Sequence, residues 1–468
     1  MENEKDGSLT SEYEFFKNQT CKVIPDGVQT LSKMPSKHVE GVYPVFIDRG
    51  DGAYLFDRHG NRYIDFPCGL GPVILGHAFG PYNQIVRQQL ENGILFPLPH
   101  IMETRLAEKI CSLFKVDMLR FLKTGSEAAS AAVKLSRAYT GRDNLGCCGY
   151  HGWHDWYSAS TPKKKGCQEF AADQIMKLPY NDLGAFIDFV KKHGPAAIIM
   201  EPVVLEIPKE GFLEGVRQLC TENKVVLIFD EIVTGFRFPG FSAGNFYKVK
   251  PDLVCLGKAM ANGLPISCVG GRREIMEELQ GDCFVSSTFG GELLGMTAAL
   301  ATVDLMERYD VINHIWWAGN YLKQEFNRIA EGKAECIGLA PRTFFKFPSE
   351  VHKSLFWQEC LKRGVLFGYA QFTMLAHSSD IMNETRIAME GAWKVLESHW
   401  DNPEAALEGK VAQETFRLVT NNESDTTGTE QGRPRIGQVM AQRKSVRPAN
   451  PVSSDQRNAG TILPGRDM

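Results

Sequence analysis

Two side chains of complementary chemistry stand a short stretch of chain apart, Asp230 and Lys258. Asp230 follows the apolar, partly β-branched run Val225 to Phe229, a pattern expected of a strand buried on both faces. Open α/β sheets bind ligands at the C-terminal ends of their strands, so a carboxylate there faces a crevice. Leu253 to Leu256 reads as a neighbouring strand, and it delivers Gly257 and Lys258 to the same crevice. An amine and a carboxylate aimed into one crevice suit a pyridoxal 5'-phosphate site. The amine forms a Schiff base with the cofactor aldehyde, and the carboxylate keeps the ring nitrogen protonated so that the ring accepts electrons. Either residue alone would mean less. An Asp after a strand is usually a cap or turn residue, and a Gly-Lys pair is usually loop.

Thr124-Gly-Ser-Glu127 opens an alanine-rich stretch with capping-box spacing, and Gly141 supplies a stop. A helix start that offers amides, a glycine and a hydroxyl can hold an anion; an ordinary surface helix start looks the same. Tyr150-His-Gly-Trp-His-Asp-Trp-Tyr157 is a dense aromatic cluster. Its His151 and His154 lack a further ligand cluster, so no metal site is expected and both read as packing or polar loop residues. Trp153 and Trp156 are candidates to wall a substrate pocket, with core packing as the alternative.

IFDEIVTGFR followed by PDLVCLGKAMANGLPIS resembles the class III, fold-type I aminotransferases, and within them the glutamate-1-semialdehyde aminomutase branch. The resemblance runs from about Val42 to about Leu396. It implies an α/β fold: a large domain with a mainly parallel sheet flanked by helices, and a smaller α+β domain built from both chain ends. It further implies pyridoxal 5'-phosphate held on Lys258, which then shuttles the proton, with Asp230 at the ring nitrogen. Gly125 and Ser126 would hold the phosphate, Tyr150 would stack on the ring, and Ile232 would pack on the opposite face. Thr288, in Ser286-Ser-Thr-Phe-Gly-Gly-Glu292, matches a residue that reaches the cofactor of the neighbouring subunit, which implies a homodimer. Thr288 could also cap a helix from Glu292 to Leu305.

Departures from the aminomutase pattern bear on the reaction. Glu206 stands where the aminomutases have an asparagine, and Val233 where many relatives have a glutamine. Other class III enzymes carry a glutamate at the Glu206 position that pairs with an arginine and swings aside; Arg342, Arg386 and Arg237 are the candidates here, and a surface carboxylate is the plain alternative. Gln29-Thr-Leu-Ser-Lys33 occupies the region where the aminomutases place a substrate-gripping arginine. Lys33 could supply the charge but not the bidentate fork. Glu206 and Trp153 are therefore the substrate-side candidates. These departures favour an aminotransferase acting on a small-molecule amine and carbonyl pair. The competing readings are an aminomutase that forms 5-aminolevulinate and a non-catalytic scaffold with the same fold.

Length and composition narrow the rest. At 468 residues the chain exceeds one small core. A net charge of −4 gives no case for nucleic acid. The 12 cysteines show no CxxC spacing, which suits a reducing, cytoplasmic setting. The acidic opening MENEKDGSLTSEYEFF has no apolar core, so no secretory leader is expected, and no apolar run approaches the roughly 20 residues of a membrane span. The expected organisation is an arm and small-domain hairpin at 1–70, a large domain at 71–305, a small domain at 306–400 and a disordered tail at 401–468. The lysine-rich stretch 158–180 reads as a mobile loop over the site.

Overall fold

The computed structural model describes residues 9–413, all within one compact unit. Its centre is a seven-stranded sheet in the order Met118–Leu122, Ser267–Gly271, Leu253–Leu256, Val226–Asp230, Ala197–Met200, Leu145–Cys148, Ile175–Lys177. The pairs from Leu253–Leu256 through to Ile175–Lys177 are parallel; Ser267–Gly271 runs antiparallel to both of its neighbours. Every residue of Val226–Asp230, Leu253–Leu256 and Ala197–Met200 is buried, as continuous apolar runs in a helix-covered sheet require. The antiparallel strand is harder to read from its composition, because it ends in Gly270-Gly271. A Cβ on Gly271 would lie 2.4 Å from the Asp252 carbonyl oxygen, so the close approach of the two strands demands a glycine there.

The smaller part joins the two ends of the chain. The hairpin of Tyr54–Asp57 and Arg62–Asp65 is extended on one side by Ile47–Asp51 and on the other, in parallel, by Val365–Leu366. A three-stranded antiparallel sheet of Glu335–Leu339, Arg342–Lys346 and Gln371–Phe372 lies in the same region of the chain. One apolar core takes Ile64 and Phe66 from the N-terminal segment and Phe326, Phe356 and Trp393 from the C-terminal helices. The change of core falls inside helix Val311–Ala330. Val311 and Ile315 pack with the large sheet's core, and Ala318 onward packs with the small one.

Two expectations change. Residues 158–180 are not a plain loop: they contain helix Glu169–Asp173 and the edge strand Ile175–Lys177, of which only Ile175 is buried. A single inward residue in a three-residue strand leaves little apolar pattern to read. The tail does not start at residue 401. Pro403 and Ala412 are buried, Lys410 N donates to Glu40 O at 2.8 Å, and Ala412 N donates to Ser354 Oγ at 3.0 Å. The rest of that tail, 414–468, lies outside the described residues. Among the described residues no helix is long and apolar enough to cross a membrane.

Candidate active site

A cavity of about 320 Å³ lies where Val226–Asp230 and Leu253–Leu256 end. Its wall includes Gly125, Ser126, Tyr150, Asp230, Ile232 and Lys258, so six of the sequence candidates meet in one place. Lys258 follows its strand in a left-handed conformation, φ 45°, which costs a side-chain-bearing residue of order 1 kcal/mol. Such a conformation survives only where the surroundings hold it.

Asp230 is 4% exposed. Its Oδ1 accepts the Ile232 amide at 3.1 Å, and its Oδ2 lies 2.8 Å from His151 Nδ1. An acceptor-only carboxylate makes Nδ1–H the donor. His151 is itself buried, its ring stacked near-parallel to that of Trp156 at 6.4 Å, and among the described residues its Nε2 has no hydrogen-bond partner. The histidine is thus held as a donor to Asp230, not as a generic loop residue. A carboxylate opening on the cavity with two fixed donors behind it is ready for a cation in front.

The helix start at Thr124 is built as its spacing requires. Thr124 Oγ1 accepts Glu127 N at 3.3 Å, and Glu127 Oε2 accepts Thr124 N at 2.7 Å and Lys123 N at 3.0 Å. Gly141, at φ 65°, closes helix Gly125–Thr140 by donating to Arg137 O. Because Thr124 takes the Glu127 amide, the amides of Gly125 and Ser126 are the ones this helix start leaves without an intrahelical acceptor. Glycine also makes the cradle possible. A Cβ on Gly125 would lie 3.2 Å from Ile232 Cδ1, and one on Gly152, at φ +98°, would lie 2.3 Å from Ser126 Oγ. An amine, a carboxylate, an aromatic ring and a helix start around one cavity fit pyridoxal 5'-phosphate.

Other candidates are not in the cavity. Glu206 is exposed and accepts from Asn181 Nδ2 at 3.4 Å; none of the three candidate arginines is its partner. Arg342 lies 3.6 Å from Glu201, Arg386 pairs with Glu390 at 2.8 Å, and the buried Arg237 donates to the carbonyls of Gly71 and Thr373. The reason is local. The strand Ala197–Met200 ends at Glu201, which lines the cavity, and by Glu206 the chain has turned out to solvent. Trp153 is 71% exposed at the rim, where its amide donates to Ser126 Oγ at 3.3 Å; it does not wall the cavity. Trp156 donates to Ser130 Oγ at 2.8 Å and packs. Thr288 is exposed, and Glu292, not Thr288, caps the following helix Leu293–Arg308. Lys33 is exposed and lies outside the cavity wall, whereas Val233 is part of it.

Three lining residues were missed by the sequence reading as site residues: His151, Glu201 and Lys123. Glu201 had a signal, since it ends a buried apolar strand just as Asp230 does. Its Oε1 accepts the Tyr150 amide at 3.0 Å and so fixes the start of the aromatic cluster.

Comparison with known proteins agrees with this geometry. A family model described as aminotransferase class-III matches residues 36–369. The chain belongs to the class-III aminotransferase family. It is therefore a pyridoxal-phosphate-dependent enzyme. Among its relatives is a glutamate-1-semialdehyde 2,1-aminomutase from Methanothrix thermoacetophila, 35% identical over 402 residues, which covers 78% of this chain and 92% of that one. Another is a 3-aminobutyryl-CoA aminotransferase from Cloacimonas acidaminovorans, 35% identical over 320 residues, covering 66% and 76%. Among solved structures, the PLP internal aldimine form of the FumI protein from Sphingopyxis sp. MTA144 superposes with a TM-score of 0.79 at 26% identity, covering 85% of this chain and all of that one. The class-III fold accounts for both the mainly parallel sheet and the small domain made from two chain ends.

The Gly152 contact generates a prediction. Gly152→Ala brings a Cβ against Ser126 Oγ at a positive φ, so it should cost about 1–3 kcal/mol and displace the turn. Thermal unfolding of the cofactor-free protein and cofactor titration should both register the loss. Unchanged values in both would mean that the turn has slack which this geometry does not allow.

Proposed function

We propose that this class-III enzyme is an aminotransferase that moves an amino group between a small-molecule amine and a separate carbonyl substrate. The observation that carries the reading is the convergence of Lys258 and Asp230 on one cavity beside the Gly125-Ser126 helix start. Bound pyridoxal phosphate supplies a ring that accepts the electrons left when a substrate carbon loses its proton. Lys258 Nζ would anchor the cofactor aldehyde and, when released from it, would carry a proton between two carbons. Asp230 holds the proton on the ring nitrogen, and His151 Nδ1 holds Asp230 in line for it. Tyr150 and Ile232 would pack against the ring, and Gly125 and Ser126 would receive the phosphate.

Transfer between two molecules needs a site that takes both partners in turn. Arg342, 3.6 Å from Glu201, supports this: Glu201 would neutralise the arginine when no substrate carboxylate is present and would give it up when one is. This pair replaces the one expected at Glu206. A second reading, intramolecular transfer forming 5-aminolevulinate, draws support from the aminomutases 35% identical over most of the chain. The exposed Lys33 leaves that reading without a carboxylate grip in its usual region. A scaffold role would leave the cavity's amine and carboxylate without purpose. Twelve free cysteines support a reducing, cytoplasmic setting for either enzyme.

Mixing the pyridoxal form with glutamate, alanine or another amine should convert it to the pyridoxamine form, followed by its visible band. If no amine converts it, while glutamate-1-semialdehyde alone yields 5-aminolevulinate, the intramolecular reading replaces this one.

A homodimer is part of the proposal. Leu98, Phe284, Phe289 and Ile101 are 55–75% exposed. The two segments that carry them meet where Leu293 N donates to Ile94 O at 2.8 Å. Thr288 lies among them, clear of its own cavity, and so is available to a second copy. Apolar surface of this kind marks an association site. Sedimentation should give a dimer at micromolar concentration; a stable, active monomer would reject the assignment.

A further inference from the structure

Lys123 is a charged residue of the cavity wall that the reaction above does not use. It directly follows the strand Met118–Leu122 and precedes the Thr124 cap, and its amide is pinned to Glu127 Oε2 at 3.0 Å. Lys123 lines the same cavity as Gly125 and Ser126. Its Nζ sits 2.7 Å from Glu292 Oε2, with the two side chains 16% and 15% exposed.

That ion pair is unequal. Glu292 also accepts the amides of Leu294 at 2.6 Å and Gly295 at 3.1 Å, so the start of helix Leu293–Arg308 already satisfies both of its oxygens. Burial opposes its charge, but Lys123 and those two amides outweigh burial and hold the carboxyl below its usual range. Lys123, in contrast, spends one of its three N–H groups on Glu292, which among the described residues leaves two for a ligand.

The charge at this end of the cavity needs such a ligand group. A phosphate monoester brings a charge of about −1.5 to −2 at neutral pH. Glu127 already sits against the amides of Lys123 and Thr124. A helix start offers only about half a positive charge, which cannot balance a phosphate and a carboxylate together. Among the described residues, Lys123 and Lys258 are the only lysines or arginines lining the cavity, and the cofactor aldehyde would claim Lys258. We infer that Lys123 is a phosphate-binding residue of the cofactor site, shared between Glu292 and the phosphate. This rests on the pyridoxal phosphate reading of the cavity.

The test uses the full-length, cofactor-free protein, titrated with pyridoxal 5'-phosphate and with pyridoxal, which lacks the phosphate. Tryptophan fluorescence and visible absorbance report binding, and inorganic phosphate serves as competitor. Lys123→Met should weaken pyridoxal 5'-phosphate about tenfold, or ~1.4 kcal/mol, leave pyridoxal unchanged and blunt competition by inorganic phosphate. Lys123→Arg should restore most of the loss. Glu292→Gln keeps a capping oxygen and releases Lys123, so it should strengthen pyridoxal 5'-phosphate a few-fold. Opposite signs for Lys123→Met and Glu292→Gln distinguish a ligand from a strut, which would weaken with either change. Equal losses for both cofactor forms in Lys123→Met, or weakening of pyridoxal 5'-phosphate by Glu292→Gln, would overturn the inference while leaving the cofactor site intact. Wild-type protein that binds neither form would overturn both.

Discussion

Taking a carboxylate out of water costs several kcal/mol unless donors replace the lost solvent. Asp230 is buried at the end of a buried strand, and the architecture around it supplies those donors: the Ile232 amide from its own turn and His151 from the aromatic segment. The histidine can serve because it too is buried, against Trp156 and Tyr157. That segment can approach because Gly149 and Gly152 take positive φ where a Cβ would strike Glu201 or Ser126. The placement of one negative charge thus fixes a histidine and an aromatic cluster, and that segment lies against the helix start at Ser126. With both donors behind it, the Asp230 carboxylate would face a cationic ring nitrogen in the cavity.

The small domain takes part in this from outside the large sheet. Arg342, on a strand of the three-stranded sheet, reaches Glu201 at the end of a strand of the large one. The buried Arg237 donates to carbonyls from both sides of the chain, at Gly71 and Thr373, and lies over the Phe372 ring. Burial and the nearby Arg342 lower its pKa to about 10, which still leaves it charged at neutral pH. A buried guanidinium that ties three segments together resists removal, since losing its partners would strand a charge. The junction therefore belongs to the same electrostatic frame as the cavity.

What could be read from sequence follows from how far each interaction travels along the chain. The meeting of Asp230 and Lys258 in one cavity was legible because each follows an apolar run at a strand end, and the helix start at Gly125 and Ser126 was announced by its capping box, while a phosphate role for it came only from resemblance. The His151–Asp230 bond spans 79 positions and the Tyr150–Glu201 bond 51. Nothing local announces either, so the histidine read as loop. Glu206 misled for the opposite reason. Its place in a motif suggested a role, while the backbone had already left the cavity at Glu201. Thr288 was proposed only through resemblance, and its own cavity does not contain it. The glycine-ended antiparallel strand escaped because a strand with no side chains at its end has no period to detect.

The central claim is that Lys258 is the residue that bonds the cofactor aldehyde. Borohydride reduction of the cofactor-loaded protein, followed by proteolysis and mass mapping, tests it directly. The account predicts a single reduced pyridoxyl label on Lys258. A label on Lys123 or any other lysine, with Lys258 unmodified, would contradict it.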